Sequence, residues 1–252
     1  MESAPASHPR AWKILLAFAT IYVVWGSTFL AIRVGVREVP PFLLAGMRVL
    51  VAGAALYTWM RARGTPSPAP REWSAASLLA VLIFVLNYGL VFWAEQRVPS
   101  GITAVIMATI PAFMALAEIL LLRTHRLTAR LSIALLIGIA GVAVLVGHLP
   151  VGRFPFGSFM SFAEAPVDTA GACALIVGAI SWSVAASLSR KVPLPTSKGM
   201  SSGAQMLTGG VLLLLAAATL GEFRGFHPRA VSRGAWLALA YLIVAGSLVA
   251  FT

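Results

Sequence analysis

The chain has 252 residues, 59% of them hydrophobic and 11% charged, with a formal net charge of +11 and a mean hydropathy of +0.89. A soluble domain of this length needs a far more polar surface to be wetted. A nucleic-acid partner is excluded as well, because all but one of the 19 Lys and Arg fall in short groups between apolar runs, as topology determinants do.

A helix needs about 20 predominantly apolar residues to cross the hydrocarbon core. In chain order, the first such run is Ile14–Ile32, too long to be a cleavable signal-peptide core. Phe42–Met60 follows, uncharged throughout except for Arg48. The polar, proline-rich "RARGTPSPAPREW" separates it from Trp73–Ala94. Gly101–Leu122 is the fourth span, with Ser100 placed to cap its start and Pro111 to kink it. Leu131–Gly147 is the fifth and shortest, and 148–168 is a connecting loop. Thr169–Ser189, Gly203–Leu220 and Gly234–Thr252 complete the set. No ten-residue alternation of a transmembrane β-barrel is present, so the expected fold is all-α, a polytopic membrane bundle of eight transmembrane helices.

Small residues at four-residue spacing, Ala134 with Gly138 and Ala174 with Gly178, favour close helix packing and leave a homo-oligomer open. The lone Cys173 rules out an intrachain disulfide. With the N-terminus in the cytoplasm, inside segments hold Arg10, Lys13, Arg61, Arg63, Arg71, Arg123, Arg126, Arg130, Arg190, Lys191 and Lys198. Outside segments hold Arg33, Arg37, Arg97, Arg153, Arg224, Arg229 and Arg233, so the bias favours that orientation.

An offset of 157 residues places Trp25 on Trp182, Arg33 on Arg190, Gly46 on Gly203 and Gly53 on Gly210, with Arg48 on Gln205. The shared offset points to an internal duplication. The unit holds five spans, an odd number, so the second copy enters the membrane in the opposite sense. Inverted repeats of this kind mark transporters whose site lies near the midplane.

The stretches "WGSTFLAIRVGVREVPPFLLAGMRVLVAGAAL" and "FWAEQRVPSGITAVIMATIPAFMALAEILLL" resemble an EamA repeat of the drug/metabolite transporter superfamily. The resemblance implies two five-helix repeats that move small metabolites, often outward, across a cell membrane, in bacteria the inner one. On that pattern 1–147 is a first repeat and 169–252 a second, truncated after about three helices, since the chain stops at Thr252. A truncated, transport-inactive protein is therefore the alternative. "RTHRLT" also departs from the acidic ending usual for the fourth helix.

Arg48 lies six residues into its span, about 9–10 Å deep at 1.5 Å per residue. Placing Arg at a helix centre costs roughly 2.5–3.5 kcal/mol on insertion scales. It either snorkels or binds carbonyls of a neighbouring helix, or it faces a wet cavity and holds a substrate anion. Trp25, Ser27, Thr28, Asn87, Tyr88, Trp182 and Gln205 are the other candidate lining residues. Glu95 and Glu118 close their spans and read as interfacial; no acid lies in the first span, unlike the small multidrug exporters of the wider superfamily. No metal site, cofactor or enzyme is expected: the four His are scattered outside the spans, and no HExxH, CxxC or GxSxG motif occurs. A retinal Schiff base is excluded because no span contains a lysine. The partners are then a small-molecule substrate and the lipid bilayer.

Overall fold

The computed structural model describes residues 11–122, 128–146 and 167–249. Among them there is no strand, and besides a single 3-10 turn at Pro228–Ala230 there are eight longer helical segments: α1 (Ala11–Gly35), α2 (Pro41–Ala62), α3 (Pro70–Ala94), α4 (Ser100–Leu121), α5 (Ala129–Val146), α6 (Thr169–Leu188), α7 (Lys198–Thr219) and α8 (Arg233–Val249). By length and composition α2, α3, α4, α6 and α7 can each cross a membrane, and α8 is a shorter apolar helix. The all-α membrane bundle expected from composition is the fold observed.

Helix ends depart from the apolar runs where polar residues continue a helix. α7 starts at Lys198, five residues before the apolar run, because Ser197 caps it by accepting the Met200 N–H at 3.4 Å. Ser100 is not the cap of α4. Pro99, with ψ 140°, occupies that position without a side-chain bond, and its carbonyl accepts the Thr103 N–H at 3.0 Å. Pro111 does interrupt α4: regular helix stops at Met107 and resumes at Ile110.

α2 and α7 form the central antiparallel pair. Gly46 lies on Leu214, Leu50 on Gly210, Gly53 on Leu207 and Tyr57 on Gly203, so one chain rises as the other falls. The spacing of four, three, four on both helices gives a single seam, as in a coiled coil. At each level a glycine meets a larger residue, and the backbones come together. A Cβ at Gly53 would sit 2.5 Å from the Leu207 nitrogen, and one at Gly210 2.5 Å from the Leu50 Cα. In lipid, where apolar burial gives helices no reason to associate, this close van der Waals approach holds them. By contrast, nothing lies within 4 Å of a Cβ built at Gly138, so close packing there is not realised among the described residues. Gly178 does pack tightly, against Asn87 of α3.

Two ends of the bundle are tied differently. At the Arg33 end, Glu222 accepts the Leu43 and Phe42 N–H groups at 2.8 and 3.4 Å, and Glu38 accepts the Ser232 N–H and Oγ–H at 2.6 and 2.7 Å. Acids there satisfy the orphan donors that begin α2 and α8. At the Arg190 end, Arg190 pairs with Glu118, and Lys191 donates to the Leu121 carbonyl, fastening α6 to α4.

Gly53→Ala and Gly210→Ala should each destabilise the protein by at least about 1–3 kcal/mol, the cost of over-packing. Their effects should match, since the two positions meet reciprocal backbone. Gly101→Ala, where a Cβ meets nothing within 4 Å, should be tolerated. Thermal melting in detergent measures all three.

Candidate functional site

Successive helical residues are rotated by about 100°. With Gly46, Leu50 and Gly53 turned to α7, Arg48 therefore points the other way, towards α3 and α8. It is 2% exposed. Its Nε donates to Ser247 Oγ at 2.9 Å and its Nη2 to the Gly246 carbonyl at 2.6 Å, both on α8. The guanidinium carbon lies 4.9 Å from the centre of the Tyr88 ring and 5.9 Å from that of Phe92. Such faces attract a cation, by about 2 kcal/mol when desolvated. No acid pairs with Arg48 among the described residues. The charge is held by oxygens and ring faces rather than neutralised.

Two local distortions make this arrangement. Val81–Tyr88 within α3 and Val244–Val249 within α8 are π-helical. The wider turn displaces carbonyls from their usual partners, and such bulges recur at functional sites. Tyr88 ends one of them; Gly246 and Ser247 lie in the other. Gly246 is required because a Cβ there would come within 2.9 Å of Arg48 Nη2.

Tyr88 is the hub of an aromatic group. Trp182 of α6 stacks on it at 6.2 Å and 4°, Phe92 at 6.2 Å and 20°, and Phe84 meets it edge-on at 5.3 Å. Asn87 is 2% exposed, and its Nδ2 has no hydrogen bond among the described residues. Thr28 Oγ1 lies 3.5 Å from the Cβ built at Gly246, which brings α1 to the edge of the group.

Arg48, Tyr88, Trp182 and Thr28 are thus gathered by the fold. Ser27 turns to α8 instead, sharing a 2.5 Å hydrogen bond with the Tyr241 hydroxyl. Trp25 is 51% exposed and is not among the rings around Arg48. Gln205 donates to Ser201 Oγ on its own helix at 3.0 Å. It lies seven residues, about 10 Å, along α7 from the level of Arg48. Gly246, Ser247 and Phe92 were not singled out from the sequence. Their one signal was the small, polar Gly-Ser pair inside the apolar "LIVAGSLVA".

A second group lies at the Arg33 end. Glu95 follows α3 and was read as interfacial; the structure instead buries it completely, at 0% exposure. The reason is a clamp: Arg33 Nη1 donates to the carbonyls of Glu95 and of Val98, the latter at 3.0 Å, and draws the turn between α3 and α4 under α1. Neither Glu95 carboxyl oxygen nor Thr103 Oγ1 has a hydrogen bond among the described residues. Burial raises the Glu95 pKa to about 8, against the smaller lowering by the nearby Thr103 hydroxyl and the Arg33 charge.

An apolar helical bundle that encloses a cation on an aromatic bed, with no acidic partner among the described residues, is a membrane protein with a candidate functional site in its interior. The profile of the EamA-like transporter family matches residues 11–147. The uncharacterized inner membrane transporter YedA of Escherichia coli (strain K12) is 33% identical over 237 residues, which is 93% of this chain and 70% of that protein. The uncharacterized transporter YoaV of Bacillus subtilis (strain 168) is 25% identical over 174 residues, 69% of this chain and 56% of that one. A crystal structure at 25% identity shares the fold, with a TM-score of 0.59 over 96% of this chain and 77% of its own. The chain belongs to the EamA-like transporter family, and with its membrane-length helices it is a multi-pass membrane protein of transport.

The buried carboxyl has a consequence for stability. An unfolded Glu titrates near pH 4.3, so between there and about 8 the folded protein keeps a proton that the unfolded chain has lost. Stability is full below the unfolded value, falls as pH rises through this window, and is level above it. Melting temperature in detergent should follow that course. Glu95→Gln, which is neutral at every pH, should flatten it.

Proposed function

We propose that this protein moves small metabolites bearing a carboxylate or phosphate, such as amino acids or organic acids, outward by alternating access between inverted repeats. The observation that carries the reading is Arg48: a guanidinium 2% exposed, without an acidic partner among the described residues, on a bed of Tyr88 and Phe92. Two of its five N–H groups are donated to protein oxygens, which leaves donors in the planar fork that suits a carboxylate or phosphate. Asn87 Nδ2, Thr28 and the stacked Tyr88 and Trp182 would line the remainder. Gln205, the repeat counterpart of Arg48, would meet the substrate only in another conformation.

The α2–α7 seam supports the duplication. Its glycines pair as Gly46 with Gly203 and Gly53 with Gly210 at the offset of 157, and their neighbours exchange under the same offset: Leu214 for Tyr57 and Leu207 for Leu50. An antiparallel pair related in this way is what a two-fold axis in the membrane plane produces. Alternating access would then loosen the Arg33 end and the Arg190 end in turn. The Lys and Arg bias supports a cytoplasmic N-terminus. Reporter fusions after Arg63 and Lys198 should read cytoplasmic and one after Arg229 external; reversed readings would overturn that orientation.

A second reading has its own observation: both hydrogen bonds of Arg48 end on α8, so the residue could serve to hold that helix. Transport by proteoliposomes across a panel of amino acids, organic acids and neutral metabolites separates the two. On the transport reading, Arg48→Lys loses part and Arg48→Gln most of the anion transport, with normal membrane abundance. Ser247→Ala, which removes one anchor but keeps the fork, should retain transport. If Arg48→Gln moves anions at the unaltered rate, the substrate role fails. If Arg48→Gln and Ser247→Ala instead lose stability together, the arginine is a helix anchor.

A further inference from the structure

We propose that Glu95 is a proton-binding site that closes the Arg33 end of the bundle when protonated and releases it when the proton leaves. The inference extends the transport reading, giving that end its gate, but its evidence is separate from Arg48.

Glu95 is 0% exposed and neither carboxyl oxygen has a hydrogen bond among the described residues. An ionised carboxylate so placed would be buried with too few donors to replace its hydration, which costs far more than burial of the neutral acid. The closed structure is therefore the structure of the protonated form. Thr103 Oγ1 of α4, also buried and without a hydrogen bond among the described residues, is the neighbouring hydroxyl, and by donating to the carboxylate it offsets part of that cost.

Four other charged groups at this end have contacts of their own. Arg33, from α1, donates to the Glu95 and Val98 carbonyls. Arg97, on the same turn as Glu95, has its guanidinium 4.0 Å from the centre of the Trp93 ring. Asp168 caps α6, accepting the Gly171 N–H at 2.7 Å. Glu38 is occupied by Ser232. Arg33 is thus the cation that an ionised Glu95 would draw to itself.

The step is an acid–base one. The Glu95 O–H bond breaks, its electron pair stays on the carboxylate, and the proton passes to water at this end. The new anion takes the Arg33 guanidinium from the two backbone carbonyls that it clamps, or admits water to the turn. Either event loosens the segment that seats α3 and α4 on α6, where Val98 packs so closely on Gly171 that a Cβ there would lie 2.6 Å from it. Proton uptake restores the neutral acid, and the clamp re-forms.

The test needs no transported substrate, so its failure is distinguishable from failure of the Arg48 reading. Purified protein in phosphatidylcholine liposomes is titrated by infrared difference spectroscopy, and a Val98→Cys variant is labelled from the aqueous phase with a membrane-impermeant maleimide. Expected is a carboxylic-acid band that disappears with a midpoint near pH 8 and is missing in Glu95→Gln. The labelling rate of Val98→Cys, divided by that of the same variant carrying Glu95→Gln at equal pH, should rise about tenfold per pH unit until it levels near the midpoint. Thr103→Val, which removes a group that favours the charged form, should move the midpoint upward in both measurements. A band that persists in Glu95→Gln, equal labelling with and without the carboxyl, or a midpoint that Thr103→Val does not move would overturn the proposal.

Discussion

Everything else in the bundle depends on how closely α2 approaches α7. Four glycines allow it, and at two of them a single added carbon would collide with the opposing backbone. Lipid offers helices no hydrophobic reason to associate, so contact has to come from shape. Once the seam is closed, the rotation of α2 is set and Arg48 is directed away from α7 into the space bounded by α3 and α8. Gly209 extends the same surface towards Phe84 of α3, and Phe84 in turn meets Tyr88 edge-on. The seam and the cationic site are one piece of packing.

Arg48 is stable where it lies because it was given oxygens and rings instead of an acid. A carboxylate would neutralise it, and none is paired with it among the described residues. Ring faces and a backbone carbonyl lower the cost of the buried charge while keeping its sign. The π-helical turns are part of that solution, since one supplies the carbonyl of Gly246 and the other ends at Tyr88. Both distort helices in the membrane only where the freed backbone finds a partner, as it must there.

The two ends of the bundle use counterpart arginines in unlike ways. Arg33 clamps backbone carbonyls beside a buried acid, whereas Arg190, at the same position of the proposed second repeat, meets the Glu118 carboxylate in the open. Arg190 is 56% exposed, so its ion pair is screened and contributes little. The two ends are fastened unequally.

Membrane class and helix positions were legible without coordinates, because the length needed to cross a bilayer is a local property that apolar runs display directly. The glycines of the seam were legible too, as a spacing of seven repeated at one offset. Other features depended on residues distant in the chain. Trp25 and Trp182 share the repeat position, yet one is half exposed and the other stacks on Tyr88. Glu95 looks interfacial at the end of an apolar run; it is buried because Arg33, 62 residues earlier, pulls its turn inward. The anchors of Arg48 lie about 200 residues away on α8. Hydrophobicity states what a segment avoids, while the partner of a buried charge is chosen by whichever helix packing brings within 3 Å, and only the assembled bundle makes that choice.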